Sequence, residues 1–313
     1  MKNKLLLLLI LGVTFFSACS DDDDKDYDGT YSGDQLKISV SNVELSGKEA
    51  VLEGTTLTLK NAIPGEATTV FTLTEVGDRL VGKNENDNRE LSLIGNKEKK
   101  VLALAISMKV KAAVVGKWDL IPFDLSTGLS SPLLLNLETE KENVAFGTNE
   151  NPEDNLISSN DFVMNIRYIM FGPILAKALQ NVSLEEDGNV VASYTADVMG
   201  SGSPTYTTSP KGLVLYNVVG NKIYIGLNID GIQSDLGRSE MNPLAGLMTM
   251  VEAGIPLEYT LTGNDLNVYL TRETLLPVMD IVPLLGTILP ENFQFFAPLL
   301  SQIATIVKES KKF

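Results

Sequence analysis

Histidine is absent from this 313-residue chain, and cysteine and tryptophan occur once each. Without imidazole there is no Ser-His-Asp or Cys-His nucleophilic catalysis and no zinc, copper or non-haem iron site built on histidine. A single thiol, Cys19, cannot form an intramolecular disulfide. Cations are scarce relative to acids, with 25 Lys and Arg against 40 Asp and Glu for a formal charge of −15. No basic surface is concentrated anywhere, which excludes nucleic acid as a partner, because phosphate recognition needs one. The chemistries left open are a carboxylate pair, a Ser-Lys pair and calcium- or magnesium-assisted hydrolysis. The acids, however, gather in loop-like stretches such as Asn84 to Glu90 and Asn149 to Asn155. Both read as solvated turns without the burial that tunes a catalytic carboxylate. Gly200 to Gly212 contains glycines and a lysine but no Gly-Lys-Ser/Thr, so it reads as a loop rather than a phosphate cradle. The expectation is a non-catalytic protein with no cofactor and no metal.

What the sequence does contain is concentrated at its two ends. Lys2 and Lys4 precede an almost wholly apolar run, Leu5 to Phe16. That run is too short to cross a hydrocarbon core of about 30 Å as a helix, and reads as an export signal. Ser17 and Ala18 then supply small residues before Cys19. Phe16-Ser17-Ala18-Cys19 resembles the lipobox of bacterial lipoproteins, which implies cleavage after residue 18, acylation of the Cys19 sulfur and a membrane-anchored product. Two or more acyl chains, at about 0.8 kcal/mol per buried methylene, hold a protein durably on a bilayer. Loss of Lys2 and Lys4 with the leader takes the formal charge from −15 to −17.

The run Ser20, Asp21, Asp22, Asp23, Asp24 resembles the acidic export signal that follows the lipidated cysteine in surface lipoproteins of Bacteroidota. That resemblance implies an outer-membrane protein exposed at the cell surface. The same residues also read as a solvated acidic spacer. Asp24-x-Asp26-x-Asp28-Gly29 matches the first half of an EF-hand calcium loop, but Gln35 stands where a bidentate Glu belongs and no helix enters the loop.

Between the ends, the pattern divides the chain into a signal peptide at 1–18, an acidic tether at 19–26, an all-β region at 27–111 and an α+β region at 112–313. The first region shows short alternating segments: Leu36 to Val40, Thr56 to Leu59, Val70 to Leu73, Arg79 to Val81, Leu91 to Ile94, and Val101 to Val110. This spacing predicts an antiparallel barrel or sandwich. Gly29-Thr30-Tyr31-Ser32-Gly33 at its start and Gly116-Lys117-Trp118 at its close resemble calycin-like domains of uncharacterised Bacteroidota lipoproteins.

In the second region, a Gly220-Asn221 turn predicts pairing of Val218 with Ile223, Tyr216 with Ile225 and Val214 with Leu227. A Gly263-Asn264 turn pairs Leu261 with Leu266, Tyr259 with Val268 and Leu257 with Leu270 in the same way. A loop Glu186-Asp187-Gly188 aligns Val182 and Leu184 with Val190 and Ala192, with Gly188 at positive φ. Helices are expected at Asn160 to Asn181, with a break at Gly172-Pro173, and at Pro243 to Ala253, with Asn242 as N-cap and Gly254 as its C-terminal stop. A helix followed by a hairpin thus occurs twice. The overall class is α+β, mainly antiparallel β.

From Glu273 to Lys308 only Asp280 and Glu291 interrupt an apolar run. Pro277, Pro283, Pro290 and Pro298 cut it, which excludes a transmembrane helix. Phe296, Leu299, Ile303 and Ile306 fall at helical spacing and form either a packed core stripe or the wall of a pocket for an apolar or lipid-like ligand. Helices on a curved antiparallel sheet resemble lipid-binding tubular proteins in layout. The functional expectation is a surface lipoprotein that binds a ligand without catalysis. The alternatives are an interaction subunit of an outer-membrane assembly, a glycan-binding accessory protein, or a histidine-free carboxylate enzyme. Exposed aromatics for sugar stacking are few, with Trp118 alone and the tyrosines 216, 224, 259 and 269 in strands.

Overall fold

The computed structural model describes residues 27–98, 100–126, 130–149, 151–198, 202–228, 253–279 and 297–311. The protein is α+β and mainly β, built on a large, curled, antiparallel-rich sheet. Nine strands form that sheet: β1 (Gly29–Ser32), β2 (Leu36–Val40), β3 (Val43–Leu45), β4 (Glu49–Glu53), β5 (Thr56–Lys60), β6 (Thr68–Val76), β7 (Arg79–Asn86), β8 (Arg89–Glu98) and β9 (Val101–Val110). They lie in the order β1-β4-β5-β6-β7-β8-β9-β2-β3, antiparallel throughout except for the parallel pair β2 and β9. Strict alternation drives this. Leu102, Leu104, Ile106, Met108 and Val110 turn one face of β9 inward, and Phe71 and Leu73 on β6 and Leu91 and Leu93 on β8 do the same. Because side chains on a strand alternate with period two, each strand contributes a row to one shared core.

The connections force the sheet to curl. β1 and β3 are its two edges, yet only Gly33–Gln35 separate β1 from β2, and only residues 46–48 separate β3 from β4. Three residues reach about 10 Å when extended, so the edges must approach each other across a seam. The interior is filled: Leu57, Leu59, Phe71, Leu91 and Leu93 are all 0% exposed. At one end of the strands Tyr27 packs on the core, with its ring 5.0 Å from Lys97 Nζ and its carbonyl accepting from Tyr31 Oη.

The other end is covered by residues from the second half of the chain. After β10 (Gly116–Asp119) and the two-stranded ladder of β11 (Asn143–Ala145) with β12 (Leu156–Ser158), β13 (Leu179–Leu184) and β14 (Val190–Tyr194) form a hairpin flanked by β10 and β15 (Thr207–Thr208). Its tip meets the curled sheet directly, since Val110 N donates to Glu186 O at 2.7 Å and Ser41 Oγ donates to Asp187 O. A second four-stranded sheet follows, β16 (Val214–Val219), β17 (Lys222–Leu227), β18 (Ile255–Thr262) and β19 (Asp265–Tyr269). Its Leu215, Tyr216, Val218 and Ile223 join the same buried cluster as the curled sheet, which therefore continues well past residue 111. The loop at residues 61–67 sits between the two sheets. Asn217 Nδ2 donates to Pro64 O at 3.0 Å, and Gly65 N donates to Ala253 O at 2.8 Å. Gly65 has φ +81°, and a Cβ there would lie 2.3 Å from Tyr224 Cγ, so both the backbone and the contact require glycine.

The hairpin registers follow the turn chemistry. Val218 pairs with Ile223, Tyr216 with Ile225 and Val214 with Leu227; Val182 pairs with Ala192 and Leu184 with Val190, with Gly188 at φ +81°. Leu261 pairs with Leu266 and Tyr259 with Val268, but the ladder stops at Glu258 and Tyr269, before Leu257 can meet Leu270. Leu257 pairs instead with Ile223 on β17.

The helix expected over Asn160 to Asn181 is three pieces. They are α1 (Ser159–Met164), a π-helical stretch at Asn165–Met170, and α2 (Phe171–Ala178). Ser158 Oγ accepts from Asp161 N at the start. Pro173 has no N–H for the carbonyl four residues back, so the helix widens just before it. A Cβ on Gly172 would come within 1.8 Å of Arg167 O, which the widened turn brings inward. The helix ends at Ala178 rather than Asn181, because Leu179 is already paired with Tyr194 in the hairpin. The second expected helix, Pro243 to Ala253 with Asn242, lies outside the described residues except for Ala253; Gly254 has φ +86°.

Candidate functional site

The register of the curled sheet assembles a surface that no single strand contains. On the outer face, successive pairings align Thr74, Val81, Ile94, Ala105, Ser39 and Glu44 in one row from β6 to β3. Two residues along the strands, a second row aligns Val76, Arg79, Asn96, Ala103 and Lys37. Between these rows and the links at 33–34 and 46–48 lies an open groove of about 1000 Å³ at the seam of the sheet. Ala103 and Ala105 keep its floor low, and Ile94, 53% exposed, forms an apolar shelf beside them. Asp34, Glu44, Lys37, Lys48 and Arg79 bring charge of both signs to its walls, and none of its lining residues is aromatic. Lys37 and Arg79 are exposed and have no ion-pair partner among the described residues. The groove can therefore bind through charge, amide and small apolar contacts.

Two further charged clusters lie where the second half of the chain covers the curled sheet. Arg89 has the inward parity of Leu91 and Leu93 and is 2% exposed. Its Nη2 donates to Glu66 Oε1, and Thr69 Oγ1 donates to Glu66 Oε2 at 2.6 Å. Arg89 Nε and Nη1 have no hydrogen-bond partner among the described residues. Burial pulls the guanidinium below its ordinary pKa while the Glu66 carboxylate opposes that shift. The stretch Asn84 to Glu90, read from sequence as a solvated turn, is thus mostly strand, with a buried cation in its last turn of alternation.

The second cluster is at the hairpin tip. Lys211 Nζ lies 2.8 Å from Asp187 Oδ2 and 3.4 Å from Glu185 Oε2. Partial burial works to raise the Asp187 pKa, but its bonds with Lys211 and Asn189 outweigh that and hold it below the usual carboxylate range. Tyr216 Oη donates to Glu185 O at 2.9 Å, and burial together with the nearby carboxylates raises its pKa. In each cluster a cation of the chain is paired with a carboxylate, Arg89 with Glu66 and Lys211 with Asp187.

Of the residues singled out from sequence, Cys19, Ser20, Asp21, Asp22, Asp23, Asp24 and Phe296 lie outside the described residues. Leu299 and Ile306 are 8% and 5% exposed on α4 (Ala297–Glu309) and pack with Val144, Phe146, Phe162 and Ile166. Phe146 and Phe162 meet edge to face at 5.0 Å. Ile303 is half-buried between this cluster and a second one formed by Met279, Ala304 and Val307, which joins α4 to α3 (Arg272–Met279). Gln302 fixes α4 further, with Nε2 donating to Gly147 O at 2.7 Å and Oε1 accepting from Gly147 N at 2.9 Å. Asp28 of the calcium-like pattern accepts from Gly54 N at 2.6 Å. Among the described residues no aspartate or glutamate is fully buried, and no three acidic, histidine or cysteine side chains are grouped to hold a metal. Lys37, Arg79 and Asn96 were not singled out from sequence. Alternation along their strands separates them from the neighbouring apolar residues, but only the register places them in one row. Comparison with known protein families, curated proteins and solved structures finds no match to this chain.

Proposed function

We propose that this chain is a lipid-anchored, non-catalytic binding protein displayed at the outer membrane, and that it takes its ligand in the seam groove. The observation that carries the reading is the open groove of about 1000 Å³ on a sheet whose interior is already filled with side chains. In a calycin-like barrel an internal ligand would need space that Leu57, Phe71, Leu91 and Arg89 occupy here. The binding surface is accordingly the outside of the curled sheet. The non-catalytic half of the reading is supported by the distribution of acids, since a catalytic carboxylate pair needs burial or close mutual approach to separate its two pKa values. The anchored half rests on the lipobox-like Phe16-Ser17-Ala18-Cys19 and the acidic run behind it. Cys19→Ala should release the protein from membranes in soluble form, measured by fractionation of cells. Unchanged membrane association would overturn the anchor.

A second reading keeps an apolar ligand at the C-terminal helices. Ile303 favours it, because this residue is only half-buried at the join between two small clusters. In that reading Leu299, Ile303 and Ile306 line the pocket, and Phe296, expected with them from its spacing, lies outside the described residues.

A further inference from the structure

Lys37 and Arg79 stand on one row of the outer face, separated by Asn96 and Ala103. From β7 to β2 there are three strand spacings of about 4.8 Å, which puts the two cations about 14 Å apart at the backbone. An extended peptide rises about 3.3 Å per residue, so four residues span about 13 Å, and residues i and i+4 project on the same side. Residue i+2 would face Asn96 and Ala103, where the low floor admits a small side chain. The apolar shelf of Ile94, continued by Val81 at 37% exposure, runs alongside. Both cations lack an ion-pair partner among the described residues, on a chain whose formal charge is −15. Local positive charge on an acidic protein gives selectivity, because most of its surface repels an anion and this row attracts it.

We propose that the seam groove docks an extended acidic segment of a partner protein, with two carboxylates four residues apart held by Arg79 and Lys37 and a small residue between them over Asn96 and Ala103. This inference rests on the groove being the binding surface. A peptide fits better than an acidic glycan because the lining offers no aromatic ring for a sugar to stack on. Glu44, at the far end of the neighbouring row, sets direction, since it disfavours a further acid there and accepts an amide or an amine.

The test uses the chain from residue 19 onward carrying Cys19→Ala, so that binding is measured in solution, separately from anchoring. A fluorescent peptide with the core Glu-Val-Ser-Val-Glu is titrated by anisotropy, beside the same peptide with both Glu replaced by Gln and beside oligogalacturonate. Saturable binding of the acidic peptide is expected, weakened tenfold or more by Lys37→Ala, by Arg79→Ala, by the Gln peptide and by raised salt. Lys37→Glu should recover binding of a peptide in which one Glu is replaced by Lys, which separates charge recognition from damage to the fold. Equal binding of the Gln peptide, indifference to both substitutions, or no binding at all would overturn the proposal. Tighter binding of oligogalacturonate would replace the peptide with an acidic glycan. If replacing Asp21 to Asp24 with Asn strengthens peptide binding tenfold, the occupant is the chain's own acidic run and the partner is ruled out. Failure of the peptide with intact Cys19-dependent anchoring would remove the groove and leave the tethered protein.

Discussion

In the curled sheet, inward side chains from successive strands meet in one buried cluster that runs on through Leu184, Leu215, Tyr216, Val218 and Ile223. Around α4 the burial is divided. Six buried side chains, Val144, Phe146, Phe162, Ile166, Leu299 and Ile306, form one cluster, and Met279, Ala304 and Val307 form another. The sheet is thus held by one continuous ladder and one shared core, and the helical part by two small clusters, the first of which ties α4 to Val144, Phe146, Phe162 and Ile166 far back in the chain. A change inside the first region should be felt across it, whereas a change in the second should stay local. The comparison also separates two kinds of polar burial. Arg89 in the sheet is enclosed with two nitrogens that have no partner among the described residues, while Gln302 on α4 is satisfied at both ends by Gly147.

The largest effect should come from breaking the ion pair inside the sheet. Arg89→Ala leaves Glu66 facing a cavity in the core, and should cost ~3–5 kcal/mol of unfolding free energy, measured by denaturant titration. The double change Arg89→Met with Glu66→Gln should recover most of that loss, because the penalty lies in the unpaired charge rather than in the missing attraction. A loss below about 1 kcal/mol for Arg89→Ala would mean that the side chain reaches water.

Leu299→Ala tests whether the helical part really is close-packed. As core, the substitution should cost ~2–5 kcal/mol and raise amide exchange in 143–178 and 297–309 while the curled sheet stays protected. If the stripe lines a pocket for an apolar ligand, the cost should be much smaller. Added fatty acid should then stabilise the unsubstituted protein by about 2.7 kcal/mol at a hundredfold excess over Kd. A full penalty with no thermal shift removes the second reading.

The smallest effect belongs to the exposed cluster at the hairpin tip. Asp187 titrates below the usual carboxylate range when folded. Its stabilisation is therefore present at neutral pH and is lost as pH falls through the folded value. Lys211→Ala should flatten that acid limb and change stability at neutral pH by only ~0.2–1 kcal/mol, because both side chains are more than a third exposed. An unaltered acid limb would show that Asn189, not Lys211, sets the Asp187 titration.

Local physics was readable from the chain wherever one principle acted alone. The Gly220-Asn221 turn determined six consecutive pairs in β16 and β17, because a two-residue turn leaves the register no freedom. The alternation of Val101 to Val110 determined β9 with both of its ends. Gly172-Pro173 marked the disturbed helix, since the missing donor and ring are properties of proline itself. The excluded chemistries were equally plain, because no fold can supply an imidazole that the chain lacks.

Tertiary structure decided what depends on partners far away in sequence. Arg89 looked like part of a solvated acidic turn, because a strand's parity says which residues share a face but not which face is buried. Its partner Glu66 is 23 residues distant. The seam groove was illegible for the same reason: Lys37, Arg79 and Asn96 come from three strands, and only the order β7-β8-β9-β2 aligns them. That order includes one parallel pair that no hairpin turn could announce, since parallel strands are joined through long connections. The acidic and apolar ends of the chain carry their reading in consecutive residues, whereas the surface proposed to bind is a property of register and closure, which exist only once the sheet has curled.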